Sequence, residues 1–454
     1  MFKNFFSPKH TYNILVLAFP IMLSHVGNML VGVVDTIMVG DLGVNELAAI
    51  SLANAVFHLA TILGVGVSMG LTPLIIKYST DKNEMKKEDQ ESYYFNSLFI
   101  NILTGIVLFI VLVIFGKFSY LFNQPEEILD LTENYLQIAG LSLVPLLFFQ
   151  TARQHLEALE YTKVALYYGI ISNLINVLLN YILIYGKFGF PQYGLEGAAT
   201  ATLIARCVLA ILITFYFVKI VPVSFFDLSF KKHFSSKKIK ELLNMGLPIG
   251  THFALEYGAF SFAWLMTGWI SSVALSSFQI AINLSGITYT VAIGLAAAVT
   301  VKYGKQYSLR NRLEMKKVGI SSFVINIAIM SLFALVFIVF RDILPKLYIK
   351  DIEVVELTSS LLLIAAVFQI SDGLQVNTLG LLRGIEDVKI PTMITLISYW
   401  VIAMPVSYIL AFHKNMGAQG VWIGLLTGLT FSAIALIYRL IYATNAKLSL
   451  EPSR

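Results

Sequence analysis

Twelve stretches of this chain each run for the ~17–25 apolar residues that a helix needs to cross a bilayer. They lie near 13–38, 47–72, 95–116, 131–152, 164–186, 195–218, 242–267, 275–301, 318–340, 355–382, 390–412 and 418–442. Hydrophobic residues make up 57% of the 454 residues and charged residues 13%, with a mean hydropathy of +0.76. Those values lie outside the range of water-soluble globules, and the short connectors leave no room for a separate soluble domain. The expected fold is all-α and integral to the membrane, with twelve transmembrane helices. The short basic N-terminus, MFKNFFSPKHTYN, leads into an apolar run with no small-residue cleavage site and more spans behind it, so it does not read as a removable signal peptide.

The chain repeats itself. Sliding the first half along the second lays Pro20 on Pro248, Gly40 on Gly268, Leu47 on Leu275 and Lys77 on Lys305. Further along, Tyr181-Ile-Leu-Ile matches Tyr408-Ile-Leu-Ala, and Gly194-x-x-Gly197 matches Gly417-x-x-Gly420. This divides the chain into an N-lobe, 1–220, with six helices, a basic linker at 221–241, and a six-helix C-lobe, 242–454. Six spans per half make the repeats parallel, related by a pseudo-two-fold axis along the membrane normal. Their facing surfaces are the natural place for a central cavity.

Lysine and arginine pile up in alternate connectors, while the opposite ones hold only Lys117, Lys187, Arg341, Lys346, Lys350 and Lys414. That asymmetry places both termini in the cytoplasm. The net charge of +5 is thereby a topology signal, and no nucleic-acid partner is expected. The basic connector at 221–241 reads as a cytoplasmic linker. A single cysteine, Cys207, excludes an internal disulfide framework and thiolate metal clusters.

Of 27 acidic residues, only Asp35, Glu256 and Asp372 sit well inside apolar spans, with Arg206 as the accompanying buried arginine. A charge at the bilayer centre costs ~2.5–3.5 kcal/mol on insertion scales, so such residues persist where function needs them. A desolvated carboxylate can trade a proton for a cation or basic ligand near neutral pH, which is what a coupled transporter requires. One positive charge moving inward releases ~2.3 kcal/mol per 100 mV. At ~1.4 kcal/mol per decade that sustains a gradient of roughly fifty-fold in exported ligand.

Helix five places Asn176 and Asn180 four residues apart on one face, with Asn173 a turn earlier. The second half has Ala403 and Ser407 there, so the amides are private to the N-terminal half, where they can partner Asp35. Glu256 and Asp372 would form a matching acidic pocket if helices seven and ten pack together, with Gln279 as a further polar ligand. His25, His58 and His252 read as packing or cavity-lining residues rather than metal ligands. Phe253, Tyr257, Phe260 and Phe368, near the two acids, can stack on a flat organic cation. No GxxxxGK[ST], GxSxG or HExxH motif occurs, so neither ATP hydrolysis nor an intramembrane hydrolase is expected, and no cofactor.

Several of these segments together resemble the multidrug and toxic compound extrusion (MATE) transporters. They are FPIMLSHVGNMLVGVVDTIMVGDLGVNELAAISLANAV, the NxxxNY of Asn176 to Tyr181, the GLEGAATAT of Gly194 to Thr202, LPIGTHFALEYGAF and SDGLQVNTLGLLRGIEDVKIP. The likeness covers essentially the whole chain, and Glu256 with Asp372 points to the NorM-like rather than the DinF-like branch. It implies an N-lobe cation or proton site at Asp35, Asn176, Asn180 and Thr202. It also implies a C-lobe cation site at Glu256 and Asp372, able to hold Na+. One departure stands out: some NorM-like members have a tyrosine one turn before the helix-ten aspartate, where this chain has Phe368. The missing hydroxyl removes an oxygen ligand and leaves H+ open beside Na+.

The expected function is thus a secondary active antiporter in the cytoplasmic (inner) membrane, working as a monomer. It would export cationic, aromatic organic compounds in exchange for Na+ or H+. One alternative is a lipid-linked precursor flippase of the same superfamily, which should carry more basic residues in its cavity than Arg206 alone. Another is an uncoupled channel or receptor, against which the private acids of each half argue.

Overall fold

The computed structural model describes residues 7–79, 84–118, 120, 125–221 and 233–449. Most of the linker at 221–241 and part of the basic connector at 77–87 therefore lie outside the described residues. Twelve helical rods account for nearly everything described. They are α1 (Pro8–Gly40), α2 (Val44–Ser79), α3 (Glu84–Lys117), α4 (Glu127–Ala158), α5 (Thr162–Tyr185), α6 (Gly194–Ile220), α7 (Ser236–Gly268), α8 (Ser272–Ser308), α9 (Arg312–Phe340), α10 (Ile352–Gly384), α11 (Lys389–His413) and α12 (Gly417–Ser449). Each expected span is present, most of them extended at one or both ends, while α5 stops one residue short of its expected end. Among the described residues, eleven rods are long and apolar enough to cross a membrane. The twelfth, α7, has the length at 33 residues, but His252 and Glu256 lower its hydropathy.

The ends are set by local chemistry. In the second half, Ser271 accepts a hydrogen bond from the N–H of Ala274, Asn311 from Glu314 and Asp351 from Val354, so α8, α9 and α10 start on side-chain caps. Gly186 ends α5 in a left-handed turn at φ +65°. Three rods are interrupted: α2 turns at Met69–Gly70, α4 bends at Ser142, and α11 contains π-helical turns at Ile397–Ala403 and Ile409–His413. Such wide turns re-aim side chains, and Tyr399 sits on the first of them.

The rods gather into two compact units. One is Leu23–Gly250; the other is Met1–Met22 together with Thr251–Arg454. The cut by packing therefore falls inside α1 and α7, shortly after Pro20 and Pro248, whereas the repeat boundaries follow whole helices. A proline removes one backbone hydrogen bond and crowds the preceding turn, so these are the points at which a helix most readily changes neighbours.

In the unit Leu23–Gly250, the first part of α7 is clasped to α3. Lys238 pairs with Asp89 at 2.6 Å, Tyr93 donates to Glu241, and Ser92 and Asn96 both donate to the carbonyl of His233. It also crosses α2 at backbone contact: a side chain on Gly246 would come within 2.3 Å of the Val67 carbonyl. The other unit holds the first part of α1 in the equivalent manner. His10 reaches Glu314 of α9 at 2.6 Å, and Gly294 of α8 lies against the backbone of Met22.

That close approach predicts a selective sensitivity. Gly246→Leu should lower stability by about 1–3 kcal/mol through overpacking, read as a fall in the melting temperature of the purified protein. Gly32→Ala, where an added carbon meets nothing within 4 Å, should leave it unchanged or slightly raised.

Candidate functional site

The N-terminal candidates come together as one hydrogen-bonded row within the unit Leu23–Gly250. Asp35, half-buried on α1, accepts from the amide of Asn180 at 2.5 Å through Oδ1. The same Asn180 nitrogen is 3.3 Å from Oδ1 of Asn176, whose own amide lies 3.4 Å from the Thr202 hydroxyl of α6. The four-residue spacing of the asparagines puts both amides on the face of α5 turned toward α1 and α6. Thr202, which only the family resemblance singled out, is the far end of the row.

Arg206 lies one turn beyond Thr202 on α6. Its guanidinium donates to the Ser142 hydroxyl at 2.8 Å, sits 5.1 Å over the Phe57 ring, and attracts Asp35 electrostatically without displacing the asparagine. The carboxylate is thus dressed by a neutral donor, with the cation held at one remove.

The C-terminal candidates form a different kind of site in the other unit. Glu256 is 4% exposed and accepts three hydrogen bonds, each from a different helix. Tyr289 of α8 donates to Oε2 at 2.7 Å, while Tyr399 of α11 and Gln375 of α10 donate to Oε1 at 2.9 Å each. Gln375 also reaches the Tyr399 hydroxyl at 3.0 Å. Asp372 lies one turn before Gln375 on α10, is 2% exposed, and its Oδ2 has no partner. The Gln375 bond ties α10 to Glu256 of α7, with Asp372 one turn away along α10. Among the described residues no cluster of three or more His, Cys, Asp or Glu side chains is placed to hold a metal ion. The groups hydrogen-bonded together here are one carboxylate, two phenols and an amide.

Other expected residues fall less centrally. Gln279 is exposed and donates to Asn283 on its own helix at 3.2 Å. Phe368 is buried against Phe260 and Trp422, with ring centroids at 6.0 and 5.4 Å, and Phe260 also touches Tyr399 at 5.8 Å. Phe253 carries the Arg383 guanidinium 5.2 Å over its ring, and Tyr257 is half-buried. The hydroxyl that Phe368 lacks is not missing from the pocket, because Tyr289 and Tyr399 supply two.

Three features escaped the sequence reading. Tyr289, Gln375 and Tyr399 complete the Glu256 site, yet nothing in a tyrosine-rich chain marks those two phenols. His252 stands four residues before Glu256, its Nε2 3.8 Å from the carboxylate, and this pair was readable from spacing alone. Arg206 itself is half-buried, and two other arginines are buried more completely. Arg153 is 3% exposed and paired with Glu157 at 2.6 Å, and Arg383 is 7% exposed. Both were assigned to connectors, but α4 and α10 continue past their apolar windows and carry them inward.

Comparison with known proteins gives the same architecture. The MatE family profile matches twice, over residues 20–182 and 248–409, the two repeats read from the sequence. A probable multidrug resistance protein NorM from Halalkalibacterium halodurans is 32% identical over 434 residues, covering 94% of this chain and 93% of its own. One of the same description from Xylella fastidiosa is 30% identical over 428 residues, covering 94% and 90%. Among solved structures, a MOP superfamily transporter from Pyrococcus furiosus superposes with a TM-score of 0.88 at 22% identity, covering 97% of each chain. A eukaryotic MATE transporter gives 0.85 at 19%, covering 97% and 98%. An outward-facing multidrug resistance MATE transporter gives 0.87 at 22%, covering 96% of each. With its twelve helices in two six-helix repeats and a whole-length likeness to NorM proteins, this chain belongs to the MatE family of membrane transporters.

Proposed function

We propose that the protein is a secondary active multidrug efflux antiporter of the NorM type, exporting cationic and aromatic organic compounds in exchange for Na+ or H+. The observation that carries this reading is the dressing of its membrane carboxylates by neutral donors. A carboxylate locked to an arginine cannot change occupant without leaving a buried charge exposed, which costs about 3–5 kcal/mol. Asp35, held by Asn180, and Glu256, held by Tyr289, Tyr399 and Gln375, can take up or release a small cation while their partners stay in place.

In this reading Asp35, Asn176, Asn180 and Thr202 form the N-lobe ion site, and Glu256 with Asp372 the C-lobe one. The coupling ion is the second substrate and acts through unequal affinity for inward- and outward-facing states. Phe253, Tyr257 and Phe260, less buried than Phe368, are the aromatic residues best placed to meet a drug. The lobes are taken as 1–220 and 242–454, both termini as cytoplasmic, and the protein as a monomer of the inner membrane without enzymatic activity or cofactor. The names of the two NorM relatives, each described as a multidrug resistance protein, favour this cargo over a lipid-linked precursor.

Proteoliposomes loaded with a fluorescent organic cation decide the matter. Export should rise with an imposed inward Na+ or pH gradient, and indifference to both gradients would remove the antiporter reading. Asp35→Asn and Glu256→Gln should each leave a folded protein whose coupled export falls to background; wild-type rates in either variant refute the role given to that residue. Tyr289→Phe and Tyr399→Phe delete one donor each and should weaken export partially. The double variant should depart from additivity, because both phenols act on the same carboxylate.

A further inference from the structure

Buried polar atoms without a partner are rare in native structures. In the unit built from Met1–Met22 and Thr251–Arg454, several belong to α9 and α10, which pack together at Asn326–Gly373 and Ser322–Asn377. Asn326 has zero exposure, and both Oδ1 and Nδ2 of its amide lack a partner; so do Oδ1 of Asn377, also at zero exposure, and Oδ2 of Asp372. A carbon added to Gly373 would come within 2.5 Å of Asn326 Oδ1, so that amide lies directly on the backbone beside Asp372.

One turn further along α10, Asn377 donates to the Ser322 hydroxyl at 3.2 Å, and Ser322 in turn donates to the Gly319 carbonyl at 2.8 Å. Ser321, equally buried, donates to the carbonyl of Ser7 at 3.5 Å. Asp372 and Asn377 are five residues apart, about 7.5 Å along a helix rising 1.5 Å per residue. Polar groups therefore descend in a row from the carboxylate toward the end of the unit where Ser7 lies.

A dry contact would leave each orphaned atom at a cost of about 1–3 kcal/mol. Turning the Asn326 amide over does not help, because both of its ends are unmatched. The missing partner must donate and accept at once, which describes water rather than a metal ion; buried waters typically make two to four such bonds.

We propose that ordered water fills the α9–α10 contact, bridging Asn326 and Asn377, and that this hydrated seam is the route by which the coupling cation passes between Asp372 and the Ser7 end. The route rests on the antiporter reading above, in which that end is cytoplasmic. The water itself does not.

Met330 offers a reporter in the unaltered protein. Its side chain lies against Gly373 beside Asn326 and has zero exposure. Millisecond hydroxyl-radical labelling of the purified wild-type protein should oxidise Met330 together with the exposed Met393, while Met266, buried in a hydrophobic core cluster, stays protected. Asn326→Leu and Asn377→Leu should each lose the Met330 oxidation. Protection of wild-type Met330 to the level of Met266, or oxidation that persists in both variants, overturns the water bridge.

The same variants in proteoliposomes should still bind drug but lose most coupled efflux. If they lose the oxidation and yet export at the wild-type rate, the seam is hydrated but is not the cation route. If wild-type protein exports nothing under any ion gradient, the antiporter reading fails instead, and the labelling result stands on its own.

Discussion

A carboxylate inside an apolar helix bundle must be supported by something, and in this protein the choice of support organises the structure. Glu256 draws one hydrogen bond from each of α8, α10 and α11, so four helices meet at a single side chain of α7. Asp35 is served by a row of amides ending at Thr202, which ties α1 to α5 and α6. In both cases the donors are uncharged. A change in what the carboxylate binds is therefore felt by several helices together, without the cost of separating an ion pair.

The two halves descend from one repeat and solve this problem differently. The asparagines of α5 have Ala403 and Ser407 as their counterparts on α11, and that helix departs from regular α geometry by two π-helical turns. One of these turns carries Tyr399 to Glu256. The amide row of one half is thus replaced in the other by a ring of phenols around a carboxylate on a different helix. Symmetry of fold has not been kept as symmetry of chemistry.

Much of this was legible before any coordinates. Apolar run length located every helix, because a bilayer-spanning segment announces itself by composition, and the i, i+4 spacing of Asn176 and Asn180 indicated their shared face and partnership with Asp35. The His252–Glu256 pair was equally readable and went unread. Tyr289 and Tyr399 were not legible, since a phenol aimed at a carboxylate and one anchored at an interface look alike in sequence. Arg153 and Arg383 were misplaced for a related reason. Hydropathy reports where a helix stops being apolar, but α4 runs on to Ala158 and α10 to Gly384, and residues there still fold inward.

The crossing of chain between the two compact units bears on how such a molecule could have arisen. Residues 7–22 pack with the second half, and Leu23–Gly250 takes in the opening turns of α7. A polypeptide consisting of one repeat would leave the start of its first helix without a home, unless a sister molecule received it. The duplicated gene would then be the covalent record of an ancestral homodimer that traded helix ends. By the same logic, splitting today's chain at the connector between the repeats yields two fragments, each lacking a piece of its own interior.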